Sequence, residues 1–381
     1  MQIVAISDIH EISREWKYLL DNSVHKNYEV AVYVTGRSSF PDMLDGIPVI
    51  NYLQFSSLYN KGIISKFILP RERFYDQSKL ISDLKILGVE RKDILLTENI
   101  NNFSAQNLDE ILDYDSAPYL PYLEFHIVDQ CNLNCKGCEH YSGLVKHSHF
   151  HNDKNIYRDL QQLKQFITDI GKIRILGGEP LLHPNIERIL QFTREVYPQS
   201  DIHIVTNGIL LKHMPKTFFS TCKRNNIYLY ISYYPPMIGK MNEIKTILEA
   251  NEIEYHITSL MSSFRIKYTL NKQVDVETIF DNCPQAHCYN LYEGKIGACF
   301  LPFTTKYFNE YFNLNLPTNE AIDLYDKTLT TKKLKTYLQT PIERCHYCMP
   351  KYKEITWDTI DNPSGLSDWI IEYSDGKFNF S

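Results

Sequence analysis

The sequence predicts an α/β protein in three parts, and three observations lead to that expectation. Over residues 1 to about 100, short apolar runs alternate with helical patterns, as in a small α/β domain. From Tyr122 to Thr258 the alternation resumes more strongly, in the order of a parallel (β/α) barrel. In the last third, cysteines gather around a hairpin signal, which suits a small cysteine-rich α+β domain. The expected segments are 1–117, 118–270 and 271–381, with the first break near Pro118–Pro121.

Composition narrows the function. A chain of 381 residues is long enough for two or three well-buried cores. A net charge of -6 offers no general basic field, so nucleic acid is not an expected partner. The start, MQIVAISDIHE, lacks the basic region of a secretion signal, and no apolar run approaches membrane-spanning length; a cytoplasmic location without a membrane partner is expected. Eight of the nine cysteines lie in local groups with metal-ligand spacing, which argues for metal ligation over disulfides; Cys222 stands apart as a core thiol.

In the first segment the expected strands are Gln2–Ile6, Val30–Thr35, Pro48–Tyr52, Phe67–Leu69 and Asp93–Leu96. Gln77–Leu87 is the clearest helix, with Leu80, Ile81, Leu84 and Leu87 on one face. The turn Ile6-Ser-Asp-Ile-His-Glu11 has no glycine, so the dinucleotide-binding fingerprint is missing. Residues 99–121 are polar and acidic with two prolines, which suits a linker. In the second segment the strands are Tyr122–Val128, Lys172–Leu176, Asp201–Thr206, Ile227–Ser232 and Glu254–Thr258. Asn152 or Asp153 caps a helix with Ile156, Leu160, Leu163, Ile167 and Ile170 on its face, ended by Gly171; Asn185–Tyr197 and Met241–Ala250 are further helices. A sixth barrel strand has no clear sequence signal.

Chemistry is expected where strands end. Directly after the first strand of the second segment, 131-CNLNCKGC-138 sets Cys131, Cys135 and Cys138 at C-x3-C-x2-C spacing. Three thiols on one short loop form a metal site. Iron–sulfur clusters normally take four cysteine thiolates, so three leave one iron open to a substrate or cofactor. A zinc site completed by a distant ligand is the alternative. After the next strand comes 177-GGEP-180, and later strand ends carry 206-TNG-208 and Ser232. The run 146-KHSHFH-151 would place His147, His149 and His151 on one face if extended, but no carboxylate or cysteine accompanies them at ligand spacing, so a solvated loop is expected. His183 is expected to pack after GGEP.

The C-x3-C-x2-C loop followed by GGEP at the end of the next strand resembles the radical S-adenosylmethionine (radical SAM) enzymes, over at least residues 122 to 260. The resemblance implies a partial parallel (β/α) barrel. Cys131, Cys135 and Cys138 would hold a 4Fe-4S cluster whose open iron takes S-adenosylmethionine, cleaved to a 5′-deoxyadenosyl radical that abstracts hydrogen from a substrate. Gly177, Gly178, Glu179 and Pro180 would bind the cofactor, with Glu179 offering its carboxylate to the methionyl ammonium and the glycines allowing close backbone approach. Asn207 and Ser232 are candidate partners for the carboxylate or ribose; as turn residues they have an equally good structural reading. Where the family often has an aromatic residue before the third cysteine, this chain has Gly137, so adenine packing is expected from a later strand end. No catalytic residue is named by the sequence.

Cys283, Cys299, Cys345 and Cys348, with Gly294 in a hairpin turn before Cys299, are similar to the twitch/SPASM-like auxiliary-cluster domain of many radical enzymes, which implies a second 4Fe-4S cluster. Cys288 is the surplus thiol and could replace Cys283; a zinc ribbon is the alternative use of the set. The first segment, through GIPVINY, FILP and LGVERKDI, resembles Rossmann-like modules found ahead of enzymes in bacterial surface-sugar pathways, which favours a sugar or nucleotide-sugar substrate over the peptide of a radical peptide maturase; a scaffold or docking domain is an equally good reading of the segment. An electron donor such as flavodoxin or ferredoxin is implied. A zinc-stabilised binding protein is the non-enzymatic alternative.

Overall fold

The computed structural model describes residues 2–7, 13, 16–17, 20–21, 28–37, 39–69, 78–90, 93–96, 118–281, 283, 285–286, 288–318, 320–360, 365–374 and 377–379. The turn at Asp8–Glu11, Gln77 at the expected helix start, and residues 99–117 of the expected linker lie outside them. The chain divides into two compact units, residues 1–121 with 330–336, and residues 122–329 with 337–381.

In the first unit β1 (Gln2–Ser7), β2 (Tyr28–Thr35), β3 (Met43–Leu44), β4 (Ile47–Asn51), β5 (Lys66–Leu69) and β6 (Ile94–Leu96) form one sheet in the order β3-β4-β2-β1-β5-β6. All pairings are parallel except β3 with β4. The strands alternate between two cores. Ala5, Val32, Val34, Phe67 and Ile94 pack with Phe55 and Leu84, whereas Val4, Ile6, Tyr33, Ile68 and Leu95 pack with Trp16 and Leu20. Both faces are therefore covered, as a parallel sheet requires. Phe55 comes from α1 (Tyr52–Asn60), a helix the apolar pattern does not reveal because Phe55 is its one buried residue. It is set by a capping box in which Asn51 accepts from Gln54 N and Gln54 Oε1 accepts from Asn51 N. Leu84 lies on α2 (Ser78–Ile86), the expected helix.

The second unit holds β7 (Tyr119–Val128), β8 (Asp169–Gly177), β9 (Asp201–Thr206), β10 (Ile227–Ile231) and β11 (Tyr255–Ile257), each at its expected place. Between them lie α3 (Asp153–Lys164), α4 (Ile186–Val196), α5 (Lys216–Arg224) and α6 (Met241–Ala250). Asn152 caps α3, accepting from Lys154 N and Asn155 N, and Ile156, Leu160 and Leu163 are its buried face. The helix stops at Lys164, not at Gly171 as expected. Ile167 and Ile170 are buried outside it, and β8 already includes Gly171, the β-branched residues favouring the extended chain.

The sheet does not continue through a sixth βα unit. β12 (Ser263–Tyr268) leaves it to pair antiparallel with β16 (Cys348–Thr356). The free edge of β7 is taken, in parallel, by β13 (Asn290–Tyr292), followed by β14 (Lys295–Gly297) and β15 (Ile322–Asp323) in antiparallel order. The full order is β11-β10-β9-β8-β7-β13-β14-β15. Glu293 and Gly294 both have positive φ, 46° and 79°, the geometry of a two-residue hairpin turn that places Cys299 two residues past β14. α7 (Val276–Asp281) precedes this hairpin and α8 (Leu301–Phe312) follows it.

Candidate cofactor and metal sites

β7 ends at Val128, and the cysteine loop turns back over the ends of β8, β9 and β10. A cavity of about 160 Å³ lies there, lined by Cys131, Cys135, Cys138, Gly177, Gly178, Glu179, Asn207 and Ser232. Residues far apart in sequence thus meet at the carboxyl ends of neighbouring parallel strands, where ligands collect in such sheets. Burial pushes the Cys131 thiol up to about 12, with the Glu179 charge adding to it, and burial also raises Cys135 and Cys138. Thiols so placed ionise only when a metal supplies the compensating charge.

The glycines serve the loop. A Cβ on Gly177 would stand 2.0 Å from the Val128 carbonyl oxygen, and one on Gly178 would stand 2.0 Å from that of Gln130. Gly178 N donates to Val128 O, and Glu179 N to Gln130 O. Beside the expected approach of a cofactor, for both glycines line the cavity, the pair serves close approach of the cysteine loop's own backbone. Gly177, at φ 144°, also occupies a conformation that other residues avoid.

Glu179 is buried, and Oε1 accepts from Thr206 Oγ1 and Leu181 N while Oε2 accepts from Asn207 N. Burial nonetheless raises its carboxyl to about 7, because these donors only partly offset the lost hydration. Among the described residues no Lys, Arg or His contributes to holding it ionised. A buried carboxylate without a cation, on the wall of a cavity, fits an ammonium group. Pro180 is buried at the start of a 3-10 turn and does not line the cavity, so its expected contact with the cofactor is corrected to a scaffold role.

Asn207 is committed to the protein. Its Nδ2 donates to Asn132 Oδ1 at 2.7 Å and reaches Cys131 Sγ at 3.8 Å, and its Oδ1 accepts from Ile209 N. It straps the cysteine loop to the end of β9, in keeping with the turn-residue reading, and it also lines the cavity. Ser232 lines the cavity and hydrogen-bonds Tyr234, which lines it too.

Tyr234, Phe264 and Trp357 are the site residues that sequence reasoning missed. Tyr234 follows the end of β10, with its ring 5.8 Å from Phe264 and 6.4 Å from Trp357. Trp357 Nε1 donates to Cys135 Sγ at 3.3 Å. At Gly137, φ is 65° and an added Cβ would meet Ile355 Cδ1 at 2.5 Å and Ile266 Cδ1 at 2.8 Å. The β12–β16 pair therefore covers this turn of the loop and excludes an aromatic side chain there; Tyr234, at a later strand end, offers the aromatic face instead. A tyrosine just past a predicted strand was the one signal available for it.

A second cavity gathers Cys283, Cys299, Cys345 and Cys348 with Lys267 and Arg344. Lys267 Nζ lies 4.0 Å from Cys283 Sγ. Arg344 is buried with Nη1 lacking a partner. Burial holds the Cys348 thiol up at about 11, even though the Arg344 charge draws it down. A buried, unsatisfied guanidinium donor beside buried cysteines fits an anionic metal–thiolate centre. The open space is about 20 Å³, room for roughly one water. Four thiols on one cavity are the donor set of a tetrahedral zinc ion or of an iron–sulfur cube. Cys283 lines this cavity whereas Cys288 does not, and the Cys288 charge acts on Tyr122 and Arg174.

The start of the histidine run, His147 included, is an exposed loop as expected, but its end is not. His151 is buried, its Nε2 3.2 Å from Asp129 Oδ1, so the carboxylate missing from the local sequence is supplied by the residue that follows β7. His183 packs as expected, its Nε2 2.8 Å from the His151 carbonyl oxygen.

Residues 125–259 match the family model described as the radical SAM superfamily. They are a radical SAM domain. Such a domain uses a 4Fe-4S cluster together with S-adenosylmethionine, and the three-cysteine loop, the glycine pair and the buried Glu179 all fall inside it and line its cavity. GTP 3′,8-cyclase of Thermodesulfovibrio yellowstonii is 34% identical over 113 residues, 29% of this chain and 35% of the relative. GTP 3′,8-cyclase of Clostridium acetobutylicum is 36% identical over 114 residues, again 29% and 35%. The chain spans about a third of the length of these curated relatives. Among solved structures, a histidine-tagged anSMEcpe with bound AdoMet matches at TM-score 0.40 and 12% identity, covering 61% of this chain and 83% of that one. BtrN in complex with AdoMet and 2-DOIA matches at 0.36 and 18%, covering 60% and 92%. No helix among the described residues is long and apolar enough to cross a membrane.

Proposed function

We propose that the protein is a radical SAM enzyme acting on a small substrate, a sugar or nucleotide sugar, with a second metal centre on its C-terminal cysteines. The observation that carries the reading is the meeting of Cys131, Cys135, Cys138 and Glu179 on one cavity. The three thiolates would hold the cluster, Glu179 the methionyl ammonium, and Tyr234 the adenine. When bound, cluster and cofactor supply one-electron cleavage of a carbon–sulfur bond and, from the fragment released, hydrogen-atom abstraction.

The chain's own residues orient and enclose. Asn207 ties the loop to the end of β9 through Asn132, and Gly177 and Gly178 let the loop backbone lie directly on the end of β8. Trp357 hydrogen-bonds Cys135, a contact of the kind that tunes a cluster's potential. Cys283, Cys299, Cys345 and Cys348 would hold the second centre, for electron transfer or structure, and a flavodoxin- or ferredoxin-type donor would supply the first electron. The parallel sheet of the N-terminal unit supports the sugar reading at the level of fold analogy.

The test is anaerobic reconstitution followed by measurement of 5′-deoxyadenosine. The wild type should form it from S-adenosylmethionine and dithionite. With Cys131, Cys135 and Cys138 all changed to alanine, formation should cease while iron bound by the C-terminal cysteines stays. Formation at the wild-type rate in that variant refutes the assignment, and zinc without inorganic sulfide in the purified protein would favour the binding-protein alternative.

A further inference from the structure

We propose that Asp129, His149, His151 and Glu293 hold a divalent transition-metal ion, zinc foremost, at a site separate from both cysteine sets. The segment after the cysteine loop returns along the end of β7. Val128 pairs with Phe150 as an antiparallel bridge, Asp129 N donates to His149 O, and His151 N donates to Ile127 O. Extended backbone sends alternate side chains to one face, so His149 and His151 share a side. Asp129 reaches that side from the end of β7, and Glu293 reaches it from the β13–β14 turn.

Asp129, His149 and His151 stand near ligand spacing, and Glu293 flanks them. His151 Nε2 is 3.2 Å from Asp129 Oδ1, and His149 Nε2 is 2.9 Å from Glu293 Oε1 and 4.0 Å from Asp129 Oδ2. His151 Nδ1 is 3.9 Å from Glu293 Oε1. Tetrahedral zinc with bonds of about 2.0–2.2 Å places its ligands roughly 3.3–3.5 Å apart, so His151 enters through Nε2, the nitrogen that faces Asp129, and the half-exposed Glu293 side chain turns toward the ion to complete the set. Asp129, His149 and His151 each offer an atom within 4.8 Å of the others.

The surroundings suit such an ion. Tyr292 OH donates to Asp129 Oδ2 at 2.6 Å, Tyr307 OH donates to the same oxygen, and His126 Nδ1 lies 3.4 Å from Oδ1, so the carboxylate is oriented by a second layer of partners. Two carboxylates balance a double positive charge, and the nearby ammonium, Lys306, is set back on Tyr292 OH. Asp129 and His151 are buried whereas His149 and Glu293 are 39% and 53% exposed, which leaves an entry path on one side. His151 and Glu293 also line a cavity of about 360 Å³ through which an ion can arrive. Two imidazoles with two carboxylates favour zinc over magnesium or calcium. With four protein ligands the site is closed, and the ion pins the segment after the cysteine loop to the β13–β14 hairpin.

The experiment uses the full chain, reconstituted anaerobically, treated with EDTA and then titrated with zinc chloride. The expected result is one zinc per chain in addition to the iron, with a zinc X-ray absorption spectrum showing nitrogen and oxygen neighbours and no sulfur. His149→Gln and Glu293→Gln, both at partly exposed positions, should each weaken zinc binding tenfold or more, leave iron content unchanged, and melt like the wild type when both are zinc-free. Failure of the wild type to bind zinc beyond its iron, sulfur in the zinc shell, or wild-type affinity in both variants overturns the proposal. The spectrum of the wild type decides the matter alone should the variants not fold.

Discussion

Replacing Glu179 with glutamine separates the two things that carboxylate does. In the protein without cofactor its carboxyl is raised by burial from 4.5 to about 7. A folded acid raised in this way binds more protons than the unfolded chain between those values, so stability is highest below pH 4.5, falls as pH rises toward 7, and stays reduced above it. The difference of about 2.5 pH units corresponds to roughly 3 kcal/mol. Glutamine removes that dependence and substitutes a constant cost. Its oxygen takes the place of Oε1, which accepts two bonds, and its NH₂ then faces Asn207 N–H, a loss of about 1–3 kcal/mol.

An ammonium ligand reverses the order, since it needs the ionised carboxylate and displaces the proton. Below pH 7 an α-amino group remains protonated, and between about pH 6 and 7 the ionised fraction of Glu179 rises about fivefold, so affinity for S-adenosylmethionine should rise by about the same factor. In Glu179→Gln the affinity should be weaker by about 1.5–3 kcal/mol, roughly ten- to 150-fold at pH 7, and should lose this rise. Anaerobic equilibrium dialysis of both proteins across that pH range measures it. The same pH profile in the two proteins, or equal affinity at neutral pH, would refute the pairing of Glu179 with the ammonium.

Two further outcomes follow from the packing. Gly178→Ala forces a methyl group 2.0 Å from the Gln130 carbonyl oxygen, so it should cost about 1–3 kcal/mol or more in chemical denaturation and loosen the cysteine loop; unchanged stability would show that the loop does not lie on β8. Cys288→Ser should retain the full metal content while Cys283→Ser loses the C-terminal centre, by iron, zinc and sulfide analysis; the opposite result would exchange the two cysteines.

Much of this protein follows from its sequence alone. Apolar runs located β1, β2 and β4 to β11 because a parallel sheet buried on both faces demands continuous apolar strands, a local property of the chain. The spacing of Cys131, Cys135 and Cys138 identified the loop because three thiols within eight residues are brought together by chain connectivity, whatever the fold does around them. What the sequence left open depends on contacts between distant segments. β12, which has no clear sequence signal, pairs with β16, and β13 takes the edge of β7, because strand partners are chosen by where connections allow edges to meet. The GGEP glycines show a need for close approach without showing to what, and only the fold reveals the carbonyls of Val128 and Gln130. Between Cys283 and Cys288, five positions apart, only the fold shows which lines the cavity with Cys299, Cys345 and Cys348, and it is Cys283. His149 and His151 had no carboxylate nearby in sequence; Asp129 lies 20 and 22 residues before them and Glu293 far beyond, and the pairing of Val128 with Phe150 and the turn after β13 bring all four together.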